Sequence, residues 1–374
     1  GGLSNILFYC SLPSTHTPLN GEPTQVLLRM YGQMHTNGDN DSQTTITESV
    51  IFMLLSERNL GPKLYGIFPG GRLEEYISAR ALTCSELCDS DLSAVIARKL
   101  ANVHSLNVPI NKEPIWLFKT IYTWLETVRK INIDSISSDK RPLASNLLSF
   151  DFDTEVAWLK HFLRKANSPS VFCHNDLQEG NILLTEYKSN TSSTSPNAST
   201  SSSPASKKYR KAQSANSQSN SIKELNDRVV LIDFEYCAYN YRGFDIANHF
   251  CEWALDYSNP EYPHFYVRSE DYPNEEQRRH FIRNYLQWAS TSGNLSKYQN
   301  TEEQLLKEAE YFTLASHMLW TLWSINNAYS SQIVFGYWVC LNLFLTHFQL
   351  EFLPHFSFFD REKMRTSLGR AYLF

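Results

Sequence analysis

A chain of 374 residues with 34 Lys plus Arg against 39 Asp plus Glu carries a net charge of −5, which gives it no general attraction for nucleic acid and suits a small cation better. Its length exceeds one average domain, and 42% hydrophobic with 13% aromatic residues supplies a sizeable core and rings to spare for a binding site. The seven cysteines are odd in number and lack paired C-x-x-C spacing, which argues against a zinc site or a disulfide framework and for reduced thiols.

The opening residues lack the charged and apolar regions of a secretory signal, so a cytoplasmic location is expected. The alternation of Ile6-Leu7-Phe8-Tyr9-Cys10 and the run Gln25 to Tyr31 predict a β-hairpin. Thr47 to Arg58 reads as a helix stopped by Gly61-Pro62. Strands are expected over Leu64 to Phe68 and Leu73 to Ile77, joined by the turn Pro69-Gly70-Gly71. Residues 1–80 are therefore mainly β with one helix.

From Asp91 onward the periodicity is helical, recurring through the 150s and 280s, so residues 81–374 form a larger and mostly α part. Residues 188–221 interrupt it: rich in Ser, Thr, Asn and Lys and nearly free of apolar side chains, they read as a disordered surface insertion. The basic run Lys207-Lys208-Tyr209-Arg210-Lys211 within it reads as a solvated patch. Between Tyr311 and Leu350 there is no charged residue, but Ser316, His317, Asn326, Asn327, Ser330, Ser331 and Gln332 break the stretch, predicting buried helices and no membrane span.

The segment Val171 to Leu184 contains His174, Asp176 and Asn181 in the spacing H-x-D-x-x-x-x-N. In kinase catalytic loops the Asp of this pattern receives the proton of the attacking hydroxyl and the Asn five residues on holds Mg²⁺. Val229 to Ile232 is an apolar run that delivers Asp233, expected as the second metal-binding residue. Phosphoryl transfer needs such groups because negative charge spreads over the γ-phosphate oxygens in its transition state. Any one of these residues alone is better explained as the cap of a polar loop. All of them together, between strand-like runs, favour ATP- and Mg²⁺-dependent phosphotransfer.

The chain resembles the choline/ethanolamine kinases. The resemblance rests on Gly1-Gly2-Leu3-Ser4-Asn5, Val26 to Gly32, Leu60 to Gly66, His174 to Asn181, Ile232 to Tyr236, Tyr239 to Phe250 and Leu319 to Ser324, and spans nearly the whole chain. It implies an α+β, protein-kinase-like bilobal fold with a small β-rich N-terminal lobe and a large, mainly helical C-terminal lobe. It makes Gly1, Gly2, Leu3, Ser4, Asn5 and Ile6 the loop over the nucleotide phosphates, so that a strand or tail is expected upstream of residue 1. Arg29 becomes the cation on those phosphates, where protein kinases use Lys, with Glu48 its helix partner. Glu75 and Tyr76 fall on the hinge that holds adenine, where relatives often carry Gln-Phe, and Gln178 supports the nucleotide side of the catalytic loop. It also implies a homodimer and a place at the first step of phosphatidylcholine synthesis.

A quaternary ammonium has no N–H to donate, so aromatic faces within about 6 Å and a nearby carboxylate must select it. Trp320 and Trp323, at i and i+3, project from one helix face and suit two walls of such a cage, although tryptophan pairs on apolar helices are usually core. The resemblance adds Tyr236, Glu252, Tyr257 and Phe335 to this choline pocket. Cys340 falls where a further aromatic belongs, leaving one side open. Two rivals stand beside choline kinase activity: ethanolamine or another alcohol as the acceptor, and an inactive kinase-like scaffold. The intact Asp176, Asn181 and Asp233 argue against the scaffold.

Overall fold

The computed structural model describes residues 5–31, 40–186, 222–291, 295, 298, 300–331 and 333–339. The insertion read at 188–221, the glycine loop residues 1–4 and Cys340 lie outside the described residues. Backbone contacts divide the chain into two compact units, one of residues 1–100 with 179–233 and the other of 101–178 with 234–374. This interleaving differs from a single cut near residue 80. Its origin is strand pairing, which ties the segment after the H-x-D-x-x-x-x-N loop to the first unit.

In the first unit, β1 (Asn5–Ser11) and β2 (Gln25–Tyr31) form the expected hairpin, with Ile6 opposite Met30 and Cys10 opposite Val26. Strands β3 (Leu64–Phe68) and β4 (Gly71–Glu75) complete a four-stranded antiparallel sheet of order β1-β2-β4-β3. β4 begins two residues before the Leu73 start expected from sequence, because Gly70 takes φ +91° and closes the turn at once. Gly71 is confined to glycine by space, since a Cβ there would lie 2.4 Å from the Arg29 carbonyl oxygen. α1 (Asn40–Glu57) starts seven residues ahead of Thr47 and presents Ile51, Phe52 and Leu55 to the interior.

A second, three-stranded sheet joins β5 (Ala79–Ala81), β7 (Ile182–Thr185) and β8 (Val229–Leu231). The helical segment 222–228 (α6) precedes β8, and α2 (Ser90–His104) follows β5. α2 begins where Asp89 Oδ1 accepts the backbone N–H groups of Asp91 and Leu92 at 3.0 and 2.9 Å.

The second unit is built from helices α3 (Trp116–Arg129), α4 (Arg141–Leu148), α5 (Phe152–Leu163), α7 (Arg242–Glu252), α8 (Glu275–Ala289) and α9 (Glu302–Ser330), with β6 (Ser170–Cys173) paired antiparallel to β9 (Ala238–Tyr241). Leu117, Ile121 and Leu125 of α3, Val156 and Leu159 of α5 and Phe312 and Leu319 of α9 pack in one apolar core. α7 differs from these. Every residue of it is buried, yet it carries Arg242, Asp245, Asn248, His249 and Glu252.

Two features accommodate so polar a helix inside. Gly243 lets it approach α9, since a Cβ there would meet Phe312 at 2.7 Å and Glu308 at 2.9 Å. Arg242 is matched by Glu308, with Nη2 to Oε1 at 2.6 Å and Nε to Oε2 at 2.9 Å, both side chains fully buried. Among the described residues no helix is long and apolar enough to cross a membrane. Cys10, Cys84, Cys88, Cys173, Cys237 and Cys251 are all free thiols.

Candidate active site

In the first unit the charged residues of β2, β4 and α1 form one buried network. Arg29 Nε and Arg72 Nε both donate to Glu74 Oε1, at 2.9 and 2.6 Å, and Arg72 Nη1 donates to Glu48 Oε1 at 2.6 Å. Glu48, expected as the partner of Arg29, pairs with Arg72, which shares Glu74 Oε1 with Arg29. The reason is register: Arg29 lies opposite Arg72 across the β2–β4 ladder, so Glu74, two residues on, faces both. Arg29 Nη1 also reaches Asp233 Oδ1 at 3.1 Å.

Asp233 follows β8 in a left-handed conformation, φ +60°, uncommon for a non-glycine residue and typical of positions held for a function. Asn181 sits directly before β7, and its carbonyl accepts the Ile232 N–H at 3.0 Å, so the β7–β8 pairing brings Asn181 alongside the Asp233 segment. Glu75 accepts the backbone N–H of Lys63 at 3.1 Å, and Tyr76 stacks edge-on against Tyr9 at 4.7 Å. Ile6 is largely exposed on β1, beside Asn5.

In the second unit α7 fixes the loop after β6. Asp245, Asn248, His249 and Glu252 are spaced i, i+3, i+4 and i+7, hence on one helix face. Asp245 accepts the backbone N–H of His174 through Oδ2 at 2.7 Å and of Asn175 through Oδ1 at 2.8 Å. His104 Nε2 donates to the same Oδ2 at 2.9 Å, while His104 Nδ1 meets the Tyr285 hydroxyl at 2.8 Å. A carboxylate only accepts, so Nε2 carries the hydrogen directed at Asp245. Burial alone would raise the Asp245 carboxyl, but the His104 hydrogen bond and the His174 N–H outweigh it and hold Asp245 below the usual carboxylate range.

His249 Nδ1 donates to the Leu177 carbonyl at 2.9 Å, and its Nε2 accepts the Trp253 indole N–H at 3.2 Å. The Asn175 side chain donates to the Tyr236 carbonyl at 2.8 Å, and Asn175 itself adopts φ +68°. The residues on either side of Asp176 are thus clamped by α7, while Asp176 is left partly accessible. Gln178, next but one, is half-buried.

His104, Cys173 and Asp245 place ligand-type atoms within 4.8 Å of one another. Burial, with Asp245 beside it, pushes the Cys173 thiol well up, and both Asp245 oxygens already accept N–H groups, so the cluster is an anchor for the loop.

The aromatic residues expected around a cation form one continuous run. Ring centroids are 6.1 Å apart for Tyr236–Trp320, 5.6 Å for Trp320–Trp323, 5.5 Å for Trp323–Tyr337, 5.0 Å for Tyr337–Phe335 and 6.5 Å for Phe335–Tyr257. The Tyr257 hydroxyl donates to the buried Glu252 carboxylate at 3.2 Å. Trp320, Trp323, Tyr236 and Phe335 are only half-buried, unlike core rings such as Phe312. Tyr337 was not expected from the sequence, because the intervening Gly336 and the irregular backbone hide any periodicity around it. The loop anchors Asp245, Asn248 and His249 were likewise missed; their i, i+3, i+4 spacing within an otherwise apolar segment was the available signal.

A sequence-family model described as choline/ethanolamine kinase matches residues 1–349. A human protein named choline/ethanolamine kinase is 42% identical over 339 residues, covering 90% of this chain and 75% of its own length. Mouse choline kinase alpha is 41% identical over 355 residues, covering 90% of this chain and 71% of its own. The solved structure of a Cryptosporidium parvum choline kinase superposes with a TM-score of 0.67 at 28% identity, covering 99% of this chain and 89% of that one. The fold is therefore the protein-kinase-like one that the resemblance implied.

Proposed function

Because the chain belongs to the choline/ethanolamine kinase family, we propose that it transfers the γ-phosphate of ATP to the hydroxyl of choline, giving phosphocholine and ADP. The single observation that carries the choline reading is the aromatic run from half-buried Tyr236, Trp320 and Trp323 through buried Tyr337 and half-buried Phe335 to exposed Tyr257, with the buried carboxylate of Glu252 beside it. Faces of electron-rich rings and one carboxylate are what a trimethylammonium group can use.

Asp176 accepts the proton as the choline oxygen bonds to the γ-phosphorus and the bond to the β-phosphate oxygen breaks. Its neighbours keep it in place: Asp245 on the N–H groups of His174 and Asn175, and His249 on the carbonyl of Leu177. Arg29, held by Glu74, directs its remaining positive charge to the phosphates, and Glu48 and Arg72 buttress Glu74. Asn5, Ile6 and the preceding Gly1, Gly2, Leu3 and Ser4 cover the phosphates, while Glu75, Tyr76 and Gln178 line the nucleotide.

Asn181 and Asp233 suit Mg²⁺. An amide oxygen and a carboxylate on neighbouring strand ends are hard donors, and the left-handed Asp233 is held for a purpose that pairing with Arg29 alone does not require. When bound, Mg²⁺ neutralises the charge that develops on the phosphate oxygens. Family membership also supports a cytoplasmic homodimer acting at the first step of phosphatidylcholine synthesis.

ATP consumption measured with choline, ethanolamine and an aminoglycoside tests the reading. Turnover is expected with choline at the lowest KM; turnover with the aminoglycoside alone, or with none of the three, would overturn it.

A further inference from the structure

Trp320 is the central ring of the aromatic run, touching both Tyr236 and Trp323, and its orientation is set by a residue outside the run. Its indole Nε1 donates to Asn248 Oδ1 across 2.6 Å, and the Ser316 hydroxyl donates to the same oxygen at 2.7 Å. An indole N–H can only donate, so the amide atom facing it must be the oxygen, and the Asn248 nitrogen is directed the other way. There it stands 3.5 Å from the backbone carbonyl of Asn175, the residue before Asp176. Asn248 is fully buried, and α7 gives it no freedom to follow a displaced ring.

The face of a tryptophan attracts a cation only where its ring plane is presented, and a half-buried indole held by packing alone has other orientations open to it. A short hydrogen bond at the far end of the indole removes them. We infer that Asn248 is a positioning residue for cation selectivity: it pins the Trp320 indole with its carbonyl oxygen and so presets the cage, from the same helix face that clamps the catalytic loop. The inference rests on the aromatic run being the cation site.

The test compares wild type, Asn248→Ala, Trp320→Phe, Trp320→Ala and the double variant Asn248→Ala/Trp320→Phe, with tetramethylammonium as a non-reactive competitor. Asn248→Ala is expected to raise the choline KM and the tetramethylammonium inhibition constant by roughly tenfold, since the indole N–H loses its buried acceptor, with the KM for ATP unchanged. In the Trp320→Phe background, where no N–H remains to be held, the same substitution should add less than about twofold. Equal losses in both backgrounds, or a fall in kcat with no change in either cation constant, would overturn the inference. Should Trp320→Ala leave tetramethylammonium inhibition untouched, the cage reading itself falls and this inference with it. Trp320→Ala weakening inhibition while Asn248→Ala does not would sink the positioning role alone. Because Asn248→Ala could fail to fold, a second measurement uses the unaltered protein. The ¹⁵N-labelled indole N–H of Trp320, assigned by its loss in Trp320→Phe, should exchange slowly with solvent, and free exchange would overturn the proposal.

Discussion

His249 Nδ1 donates to the carbonyl of Leu177 across 2.9 Å, and because Nε2 accepts from Trp253 the ring is neutral with both nitrogens used. Burial lowers the His249 pKa to about 4 from its ordinary 6.5. The folded form therefore refuses a proton that the unfolded chain binds once the pH falls below 6.5. Stability is fully present above that pH and drains as the pH drops toward 4, by on the order of 3 kcal/mol across the window. Urea midpoints between pH 7 and 4 should fall accordingly, and His249→Gln should flatten this part of the profile. An identical slope in wild type and variant would show that His249 is not the group responsible.

A second prediction concerns Asp245, whose two oxygens serve the N–H groups of His174 and Asn175. Asp245→Asn keeps the shape but turns an NH₂ toward one of these donors, stranding a buried N–H at a cost of about 1–3 kcal/mol. Because the strain falls next to Asp176, kcat should drop by roughly 10-fold or more while the tetramethylammonium inhibition constant stays put. A loss confined to cation binding would contradict the clamp.

Much of this was legible in the sequence. The β1–β2 hairpin followed from alternation, while His174, Asp176 and Asn181 were singled out by their spacing and Asp233 by the apolar run before it, because hairpins and loop motifs are local patterns. What could not be read depends on partners distant in the chain. Arg29 and Arg72 share Glu74 because of the β2–β4 register, and His104 meets Asp245 across a separation of 141 residues. The start of α1 was missed because its first turn is polar and has no apolar period, and the full burial of α7 was not read because so many of its residues are polar. Its polar residues are all buried because each has a partner from another element.

The Arg242–Glu308 pair gives a stability prediction independent of catalysis. Both side chains are fully buried, and Glu308 also accepts from Ser168 at 2.8 Å and Gln304 at 2.9 Å. Glu308→Ala leaves a buried guanidinium without its counter-charge and should destabilise the second unit by about 3–5 kcal/mol. Chemical denaturation of the purified variant measures this directly, and a change below 1 kcal/mol would mean that the pair behaves like an exposed one.

For the chemical step, Asp176→Ala should lose kcat by on the order of 10²- to 10⁴-fold, the range for a missing general base, with ATP binding retained in calorimetry. Asn181→Ala should be partly rescued by raised Mg²⁺, since only one proposed oxygen donor is lost. Asp233→Ala should not be, because it removes the charged donor and also leaves Arg29 without the carboxylate 3.1 Å from its Nη1. Full activity of Asp176→Ala would end the proposed mechanism.

The cage separates two kinds of ammonium by what each can do. Trimethylammonium offers a diffuse positive surface, so Trp320→Ala or Trp323→Ala should each weaken choline binding by about 0.5–2 kcal/mol. A primary ammonium also donates hydrogen bonds, so ethanolamine should lean less on the two indoles and more on Glu252, whose carboxylate is buried beside the Tyr257 hydroxyl. Glu252→Gln should therefore raise KM for both substrates, more for ethanolamine, with kcat for bound substrate changing less. Steady-state kinetics on both alcohols for the three variants give the comparison. If both tryptophan variants kept the wild-type choline KM and only melted earlier, the rings would be core packing, because a ring that stabilises the fold without facing the cation lowers Tm and leaves KM alone.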